Sequence, residues 1–120
     1  MRTEIDVRIM LKDHEGQSFM GIGLVWLLSG IDRCRSVSSA AREMDLSYPK
    51  ALRIIKNLER GLGKQVIVRR KGGSERGGAE LTPYGREFLA RYDRVQRKIK
   101  HLGAAVFARE LAGFLANDHH

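Results

Sequence analysis

The segment from Ser36 to Gly63, SVSSAAREMDLSYPKALRIIKNLERGLG, constrains the fold of this chain more than any other. Serines stand before each of its two apolar periodic runs, and Pro49 closely follows Ser47, the serine before the second run. Serine is a preferred residue at the start of a helix, and proline is tolerated in the first helical turn. The segment therefore predicts two short helices joined by a tight turn at residues 45–47.

The two helices are predicted to pack closely through small side chains. We expect Ser38 or Ser39 to cap the first helix, with Glu43 within reach as the partner in a capping box. Its inner face holds Ala40 and Ala41, which let the next helix approach. Ser47 caps the second helix, whose inner stripe is Ala51, Leu52, Ile55, Leu58 and Leu62, and Gly61 and Gly63 are expected to end it.

The flanking segments predict strands, a hairpin and further helices. Alternating apolar residues from Ile5 to Leu11 are typical of a half-buried strand, and Phe19 to Ile31 predicts a largely buried helix that ends near Gly30. QVIVRR (65–70) and Ala79 to Leu81 predict two strands around a glycine-rich loop. Thr82 and Pro83 predict the start of a long helix.

This order of elements predicts a winged helix-turn-helix fold, mainly α within the α+β class. We expect residues 1–81 to form the winged helix-turn-helix domain, with the helix-turn-helix at about 38–62 and the wing at about 65–81. Residues 82–117 are expected to form a long C-terminal helix that serves dimerisation.

The positive charge of the chain is concentrated in one region. The net charge is +8, yet residues 48–100 alone carry fifteen lysines and arginines against five acids. A local excess of this size favours a polyanion such as nucleic acid or an anionic membrane. The alternative is a surface that serves solubility alone.

The second helix and the wing supply the residues expected to contact DNA. Residues near the start of a recognition helix usually reach base edges, whereas later ones more often meet phosphates. Lys50 and Arg53 can donate to guanine, and Tyr48 or Pro49 can pack on a thymine methyl. The expected DNA contacts are Ser38, Ser47, Tyr48, Pro49, Lys50, Arg53, Lys56, Asn57 and Arg60 on the helices, and Arg70, Lys71 and Arg76 on the wing, where Arg69 adds a further cation. The alternative is an ordinary solvated helix face.

The last helix carries a heptad stripe. Its members, spaced 4, 3, 4, 3 and 4 residues apart, are Phe88, Tyr92, Val95, Ile99, Leu102 and Val106. Such a stripe favours a homodimer formed through this helix. The alternative is a helix that folds back on its own core. Gly103 costs about 1 kcal/mol in a helix interior, so we expect the helix to bend or break there.

The composition argues against an enzyme. Cys34 is the one cysteine in the sequence, so an internal disulfide and a cysteine-based zinc site are excluded, in keeping with a reducing cytoplasm. No carboxylate pair or Cys/His constellation suggests a catalytic centre. We therefore expect no catalytic residues, no cofactor, no metal and no membrane partner.

The sequence resembles the N-terminal DNA-binding domain of the molybdate-dependent transcriptional regulator (ModE) family. The resemblance covers residues 4 to about 100 and includes the Ser-Tyr-x-x-Ala pattern at Ser47 and the Leu-Thr-x-Tyr-Gly pattern at Leu81. The segments IKNLERGLGKQVIVRR and LTPYGREFL are also similar to the broader LysR-type helix-turn-helix. The family commonly has tryptophan where this chain has Leu52.

The resemblance implies a transcription regulator that dimerises through its first and last helices and places one recognition helix in each half-site of a palindrome. It also implies control of molybdenum-related genes. Full-length family members carry C-terminal molybdate-binding domains. This sequence ends at His120 without one, so we expect a stand-alone regulator or an effector carried by a separate protein.

Two other functions remain open at this point. One is an architectural DNA- or RNA-binding protein that uses the same basic face without reading sequence. The other is a winged helix that binds another protein through its apolar C-terminal face. The leading expectation is a homodimeric, sequence-specific regulator of double-stranded DNA.

Overall fold

The computed structural model describes residues 3–70 and 78–115. Along the chain these residues form β1 (Leu11–Lys12), β2 (Ser18–Met20), α1 (Ile22–Cys34), α2 (Val37–Glu43), α3 (Tyr48–Leu62), β3 (Ile67–Arg69), β4 (Ala79–Leu81), α4 (Pro83–Phe107), a π-helical turn (Ala108–Ala112) and α5 (Gly113–Leu115). The predicted fold class, a mainly α winged helix-turn-helix with a long C-terminal helix, is confirmed.

The chain divides into two compact units. Residues Met10–Ala90 form one unit, which holds the helix-turn-helix and the hairpin. The second unit combines the N-terminal segment up to Ile9 with the chain from Arg91 onward. Among the described residues, no helix is long and apolar enough to cross a membrane.

The core of the first unit is built by the three helices and the hairpin. Its fully buried large side chains are Met20, Leu27, Leu28, Ile31, Ile55, Leu58 and Val66. They come from β2, α1, α3 and the residue before β3, while α2, β3 and β4 add the smaller or slightly less buried Ala40, Ile67 and Leu81. Burial of this kind is the main force that holds α3 in place.

The N-terminal strand is present but shorter and later than predicted. β1 consists of Leu11–Lys12 and pairs antiparallel with β2, with Leu11 opposite Met20 and a register shift before Lys12. Residues 5–10 lie outside any strand. Val7 and Ile9 are nevertheless half-buried between exposed neighbours, so the alternation in the sequence reflects an extended segment with one covered side.

Helix α1 does not end at Gly30. It continues to Cys34, and Arg35 takes the left-handed conformation that terminates it. A Cβ on Gly30 would lie 3.0 Å from the Cβ of Ala40, so the glycine serves close packing between α1 and α2. The helix is also less buried than predicted, because Ile22 and Trp26 are exposed.

Helix α2 is capped by Ser36, so the prediction of a cap at Ser38 or Ser39 was wrong. Ser36 has extended backbone, and its Oγ accepts the N–H of Ser39 at 3.1 Å. The helix starts early because Val37, its first residue, is buried in the core. Glu43 lies at the other end of α2 and pairs with Arg33 of α1 at 3.1 Å.

The hairpin and the start of α4 are as predicted within the described residues. β3 pairs antiparallel with β4, with Ile67 opposite Leu81 and Arg69 opposite Ala79. Thr82 caps α4, since its Oγ1 accepts the N–H of Gly85 at 2.9 Å. Arg86 then binds Asp32 of α1 at 2.6 Å, which fixes the first turns of α4 on the helix-turn-helix.

Candidate nucleic-acid interface

The start of α3 is a capped and exposed helix end. Ser47 has extended backbone, and its Oγ accepts the N–H of Lys50 at 3.2 Å, which confirms the predicted cap. Pro49 lies in the first turn, where its missing N–H costs no hydrogen bond. Ser47, Pro49 and Lys50 are all exposed. The helix therefore presents its positive end to solvent, where an anion can approach.

The outward face of α3 carries four exposed cations. Lys50, Arg53, Lys56 and Arg60 follow one another at spacings of three, three and four residues, which places them along one side of the helix. Ala51, Ile55 and Leu58 on the opposite side are buried. The structure thus brings these predicted cations together on one surface about 15 Å long by the rise of an α-helix.

Asn57 is less available than its neighbours. It is half-buried, its Nδ2 donates to the carbonyl of Ser18 at 3.5 Å, and its Oδ1 accepts from Arg60 Nη1 at 2.9 Å. Asn57 therefore orients Arg60 and joins α3 to β2. This hydrogen bond uses one of the five N–H groups of the Arg60 guanidinium and holds the guanidinium in place. The arrangement suits Arg60 for contact with a phosphate.

Tyr48 is held by the wing. Its hydroxyl accepts a hydrogen bond from Arg69 Nη2 at 2.6 Å, and the Arg69 guanidinium lies 5.8 Å from the centre of the Tyr48 ring. Arg69 belongs to β3, so this contact links the first residue of the recognition helix to the hairpin. The sequence showed Arg69 as one wing cation among several and held no signal for its partner.

Glu59 provides a second link between α3 and the hairpin. Its Oε2 accepts the N–H groups of Val66 and Ile67 at 2.8 and 3.3 Å. Sequence analysis missed this residue, although an acid among the cations of α3 was the available signal. Hydrogen bonds to an ionised carboxylate are stronger than those between neutral groups, so Glu59 attaches the hairpin firmly to α3.

The structure describes the residues that flank the wing loop, up to Arg70 on one side and from Gly78 on the other. The N–H of Arg70 donates to the carbonyl of Gly78 at 2.7 Å, and the Arg70 guanidinium lies against Gly78. Ala79 donates to the carbonyl of Arg35 at 3.0 Å, which attaches β4 to the end of α1. Lys71 and Arg76, the other wing residues expected to contact DNA, lie outside the described residues.

Ser38 lies within α2 and is half-buried. Its predicted role as a cap is taken by Ser36, and its predicted contact with DNA stays a prediction. Elsewhere on α2, hydrogen bonds from Arg33 and then Cys34 hold the pKa of the Glu43 carboxyl below its ordinary value. This cluster joins α1 to α2.

The heptad stripe of α4 is mostly exposed. Val95, Ile99, Leu102 and Val106 are 44%, 42%, 62% and 47% exposed, respectively. Tyr92 differs, because it is buried and its hydroxyl donates to the carbonyl of Ile9 at 2.5 Å. Burial raises the pKa of the Tyr92 phenol above its ordinary value. Phe88 is half-buried.

Gly103 does not break α4. The helix runs to Phe107, and a Cβ on Gly103 would come within 3.0 Å of Val7 Cγ2. The glycine therefore lets the N-terminal segment lie close to the helix. The change in helix geometry comes later, at the π-helical turn from Ala108 to Ala112.

The fold agrees with what is found in known proteins. Residues 27–86 match the family described as bacterial regulatory helix-turn-helix protein, lysR family. This span includes α2, the recognition helix α3, the hairpin and the start of α4. The chain belongs to the lysR family of regulatory helix-turn-helix proteins.

Curated relatives of this lysR-family chain include a molybdenum-pterin-binding protein and a transcriptional regulator. The chain is 37% identical over 83 residues to the molybdenum-pterin-binding protein MopB of Rhodobacter capsulatus, covering 69% of this chain and 31% of that protein. It is 31% identical over 99 residues to the transcriptional regulator ModE of Haemophilus influenzae, covering 82% of this chain and 38% of that protein. The match spans about a third of the length of these relatives. The winged helix-turn-helix is ModE-like within the lysR group.

Solved structures of the lysR family include a DNA complex. The DNA-binding domain of CbnR bound to DNA is similar with a TM-score of 0.57 and 26% sequence identity, over 75% of this chain and 98% of that chain. The lysR family consists of DNA-binding transcription regulators. The part of this chain that carries the basic face has the same fold as the DNA-binding domain of CbnR.

Proposed function

We propose that this chain is a sequence-specific transcription regulator that binds double-stranded DNA as a homodimer. In this proposal α3 of each protomer enters one of two successive major grooves of a palindromic operator, one helical turn apart. The observation that carries it is the exposed face of Lys50, Arg53, Lys56 and Arg60 on a helix that begins at an exposed, capped end.

The two halves of this face have different roles. Lys50 and Arg53 lie near the start of α3, where a recognition helix approaches base edges, and both can donate to guanine O6 and N7. Lys56 and Arg60 lie one to two turns later and contact phosphates, with Asn57 holding Arg60 at 2.9 Å. The contact at the helix start is completed by Ser47, Tyr48 and Pro49. Ser38 contacts the DNA backbone from α2.

The wing grips the DNA backbone beside the groove. Arg70, Lys71 and Arg76 supply its positive charge. Contacts of this kind fix position and register, and they add affinity that falls steeply with salt. If the dimer neutralises about eight phosphates, the logarithm of the binding constant falls with the logarithm of salt concentration with a slope near −7.

The homodimer forms through apolar faces of the helices. Val95, Ile99, Leu102 and Val106 are exposed along a heptad stripe that a second copy of α4 can cover. On α1, Ile22 and Trp26 are also exposed and, four residues apart, lie on one side of their helix. Large exposed apolar stripes of this kind favour association over solvation. We propose residues 1–81 as the DNA-binding domain and 82–117 as the dimerisation helix.

The experiment that tests the proposal is selection of bound duplexes from a random pool at about 150 mM salt, with the mass of the chain and of its complex measured by light scattering. A palindrome with half-sites about 10 base pairs apart, bound at two chains per duplex, is expected. Sequence-specific proteins usually bind their own site at least 10³-fold more tightly than random DNA.

Two results would redirect the proposal. Binding without enrichment, with a specificity ratio below about 10, would support the architectural function instead. Absence of binding to any nucleic acid, with a partner protein that purifies with the chain, would support the protein-interaction function.

A further inference from the structure

The contact between Tyr48 and Arg69 joins two parts of the proposed interface. Arg69 Nη2 donates to the Tyr48 hydroxyl at 2.6 Å, and the guanidinium lies 5.8 Å from the ring centre. Tyr48 is the first residue of α3, and Arg69 is the last residue of β3. One side chain of the wing strand therefore reaches the point where the recognition helix starts.

Arg69 also lines a cleft between α3 and β3. The cleft holds about 340 Å³, and its other lining residues include Leu52, Lys56, Glu59, Gln65 and Val68. Glu59 accepts two backbone N–H groups of the hairpin. The strand is thus attached to the helix at two points, a backbone anchor at Glu59 and a side-chain contact at Tyr48.

We infer that Arg69 is a positioning residue that sets the base preference of Tyr48, resting on the proposed function as a sequence-specific DNA binder. Arg69 engages both the hydroxyl and the ring of Tyr48, so it fixes where the ring stands at the start of α3. In the major groove a ring in that place can pack on a thymine methyl. Arg69 therefore sets the place of the ring and, through the ring, the preference at one base position.

The geometry separates this role from that of a phosphate contact. The Arg69 guanidinium is occupied by the hydroxyl and lies near the ring, whereas its neighbour Arg70 lies against Gly78 at the wing root and makes neither contact in the described residues. Lysine retains the charge of Arg69 but lacks the planar fork that can donate to the hydroxyl while lying near the ring. A phosphate contact tolerates lysine, and a positioning contact does not.

The test compares motifs selected from a random duplex pool by the wild-type chain and by Arg69→Ala, Arg69→Lys, Tyr48→Phe and Arg70→Ala. We expect Arg69→Ala, Arg69→Lys and Tyr48→Phe to lose preference at the same base position of each half-site, by about 5- to 10-fold, within the range of one base contact. Arg70→Ala is the matched control, and it is expected to keep the wild-type motif while binding all sequences more weakly.

A double-substituted chain makes the assignment sharper. If Arg69 acts through Tyr48, Arg69→Ala adds no further loss of preference in the Tyr48→Phe background. Additive losses, or a motif unchanged in Arg69→Lys, would overturn the inference. Thermal unfolding of each variant identifies any that fail to fold. A wild-type chain that selects no motif refutes the proposed function itself, and a wild-type motif that Arg69→Ala leaves intact refutes this inference alone.

Discussion

Gly85 packs directly on the carbonyl group of Val66. A Cβ built on Gly85 would collide with the Val66 oxygen and lie 3.1 Å from its carbonyl carbon. The same oxygen accepts the N–H of Thr82 at 2.9 Å, and Thr82 Oγ1 donates to Gln65 at 2.8 Å. The first turn of α4 is thus held against the chain that enters the wing strand, and only glycine leaves room for this approach.

We predict that Gly85→Ala destabilises the protein by about 1–3 kcal/mol, because a methyl group forced against backbone cannot be accommodated by a rotamer change. Gly23→Ala is the matched control. Gly23 is helical with open space around its Cβ, so alanine there is expected to stabilise by up to about 1 kcal/mol. Urea unfolding followed by circular dichroism measures both changes. Equal stability of the two variants would show that the close approach carries no weight.

The helix-turn-helix was predictable from sequence because its signals are local. Ser47, Pro49 and the spacing of Ala51 and Ile55 each act within one or two helical turns, and Gly63 ends α3 in the left-handed conformation as a terminal glycine does. In α3 the capping residue, the turn residues and the apolar periodicity all indicate the same helix. Such agreement between local signals is what allows a segment to be predicted from sequence.

Apart from the cap of α2, which is Ser36, the errors came from residues whose role depends on distant partners. Gly30 and Gly103 suggested helix ends, yet one makes room for Ala40 and the other lies beside Val7. The alternation from Ile5 to Leu11 indicated an extended segment correctly. This segment, however, is bound by a helix side chain, since the Tyr92 hydroxyl donates to the carbonyl of Ile9. No sequence pattern predicts that an extended segment binds a helix side chain rather than a neighbouring strand. The Arg69–Tyr48 contact was missed for the same reason.

Substitution of Arg53 and of Lys56 by alanine is predicted to change DNA binding in different ways. Arg53→Ala is expected to cost about 1–3 kcal/mol on the selected operator and to relax preference at one position, because it removes a base contact. Lys56→Ala is expected to weaken operator and random DNA alike and to reduce the salt slope by about 1, because it removes a phosphate contact. Titrations of both DNAs at several salt concentrations separate the two. The same ratio of operator to random affinity in both variants would contradict the division of roles.

Leu102→Glu is predicted to shift the chain from dimer to monomer. Leu102 is exposed in the protomer, so a carboxylate there leaves folding intact but is costly in an apolar interface between two helices. Lys100→Glu, an exposed change off the heptad stripe, serves as the control for charge. Sedimentation equilibrium gives the mass, and operator binding should weaken along with the dimer. Unchanged mass in Leu102→Glu would favour a helix stripe that serves another purpose.

Tyr92 is predicted to make stability depend on alkaline pH. Burial raises its pKa above the ordinary value of about 10, so the folded state holds the phenolic proton after the unfolded state has released it. The folded state then binds more protons than the unfolded state, and the free energy of unfolding declines as the pH rises above about 10. Below that pH the contribution is fully present.

Tyr92→Phe isolates this effect. The variant loses the hydrogen bond to Ile9, which costs about 0.5–1.5 kcal/mol at neutral pH. It also loses the titrating group, so its free energy of unfolding should fall less steeply than that of the wild type between pH 9.5 and 11, a window set by the ordinary tyrosine pKa of about 10. Urea unfolding of both chains across that window is the measurement. Because the two chains differ only in this one group, parallel curves would mean that the buried phenol has no part in the alkaline loss of stability.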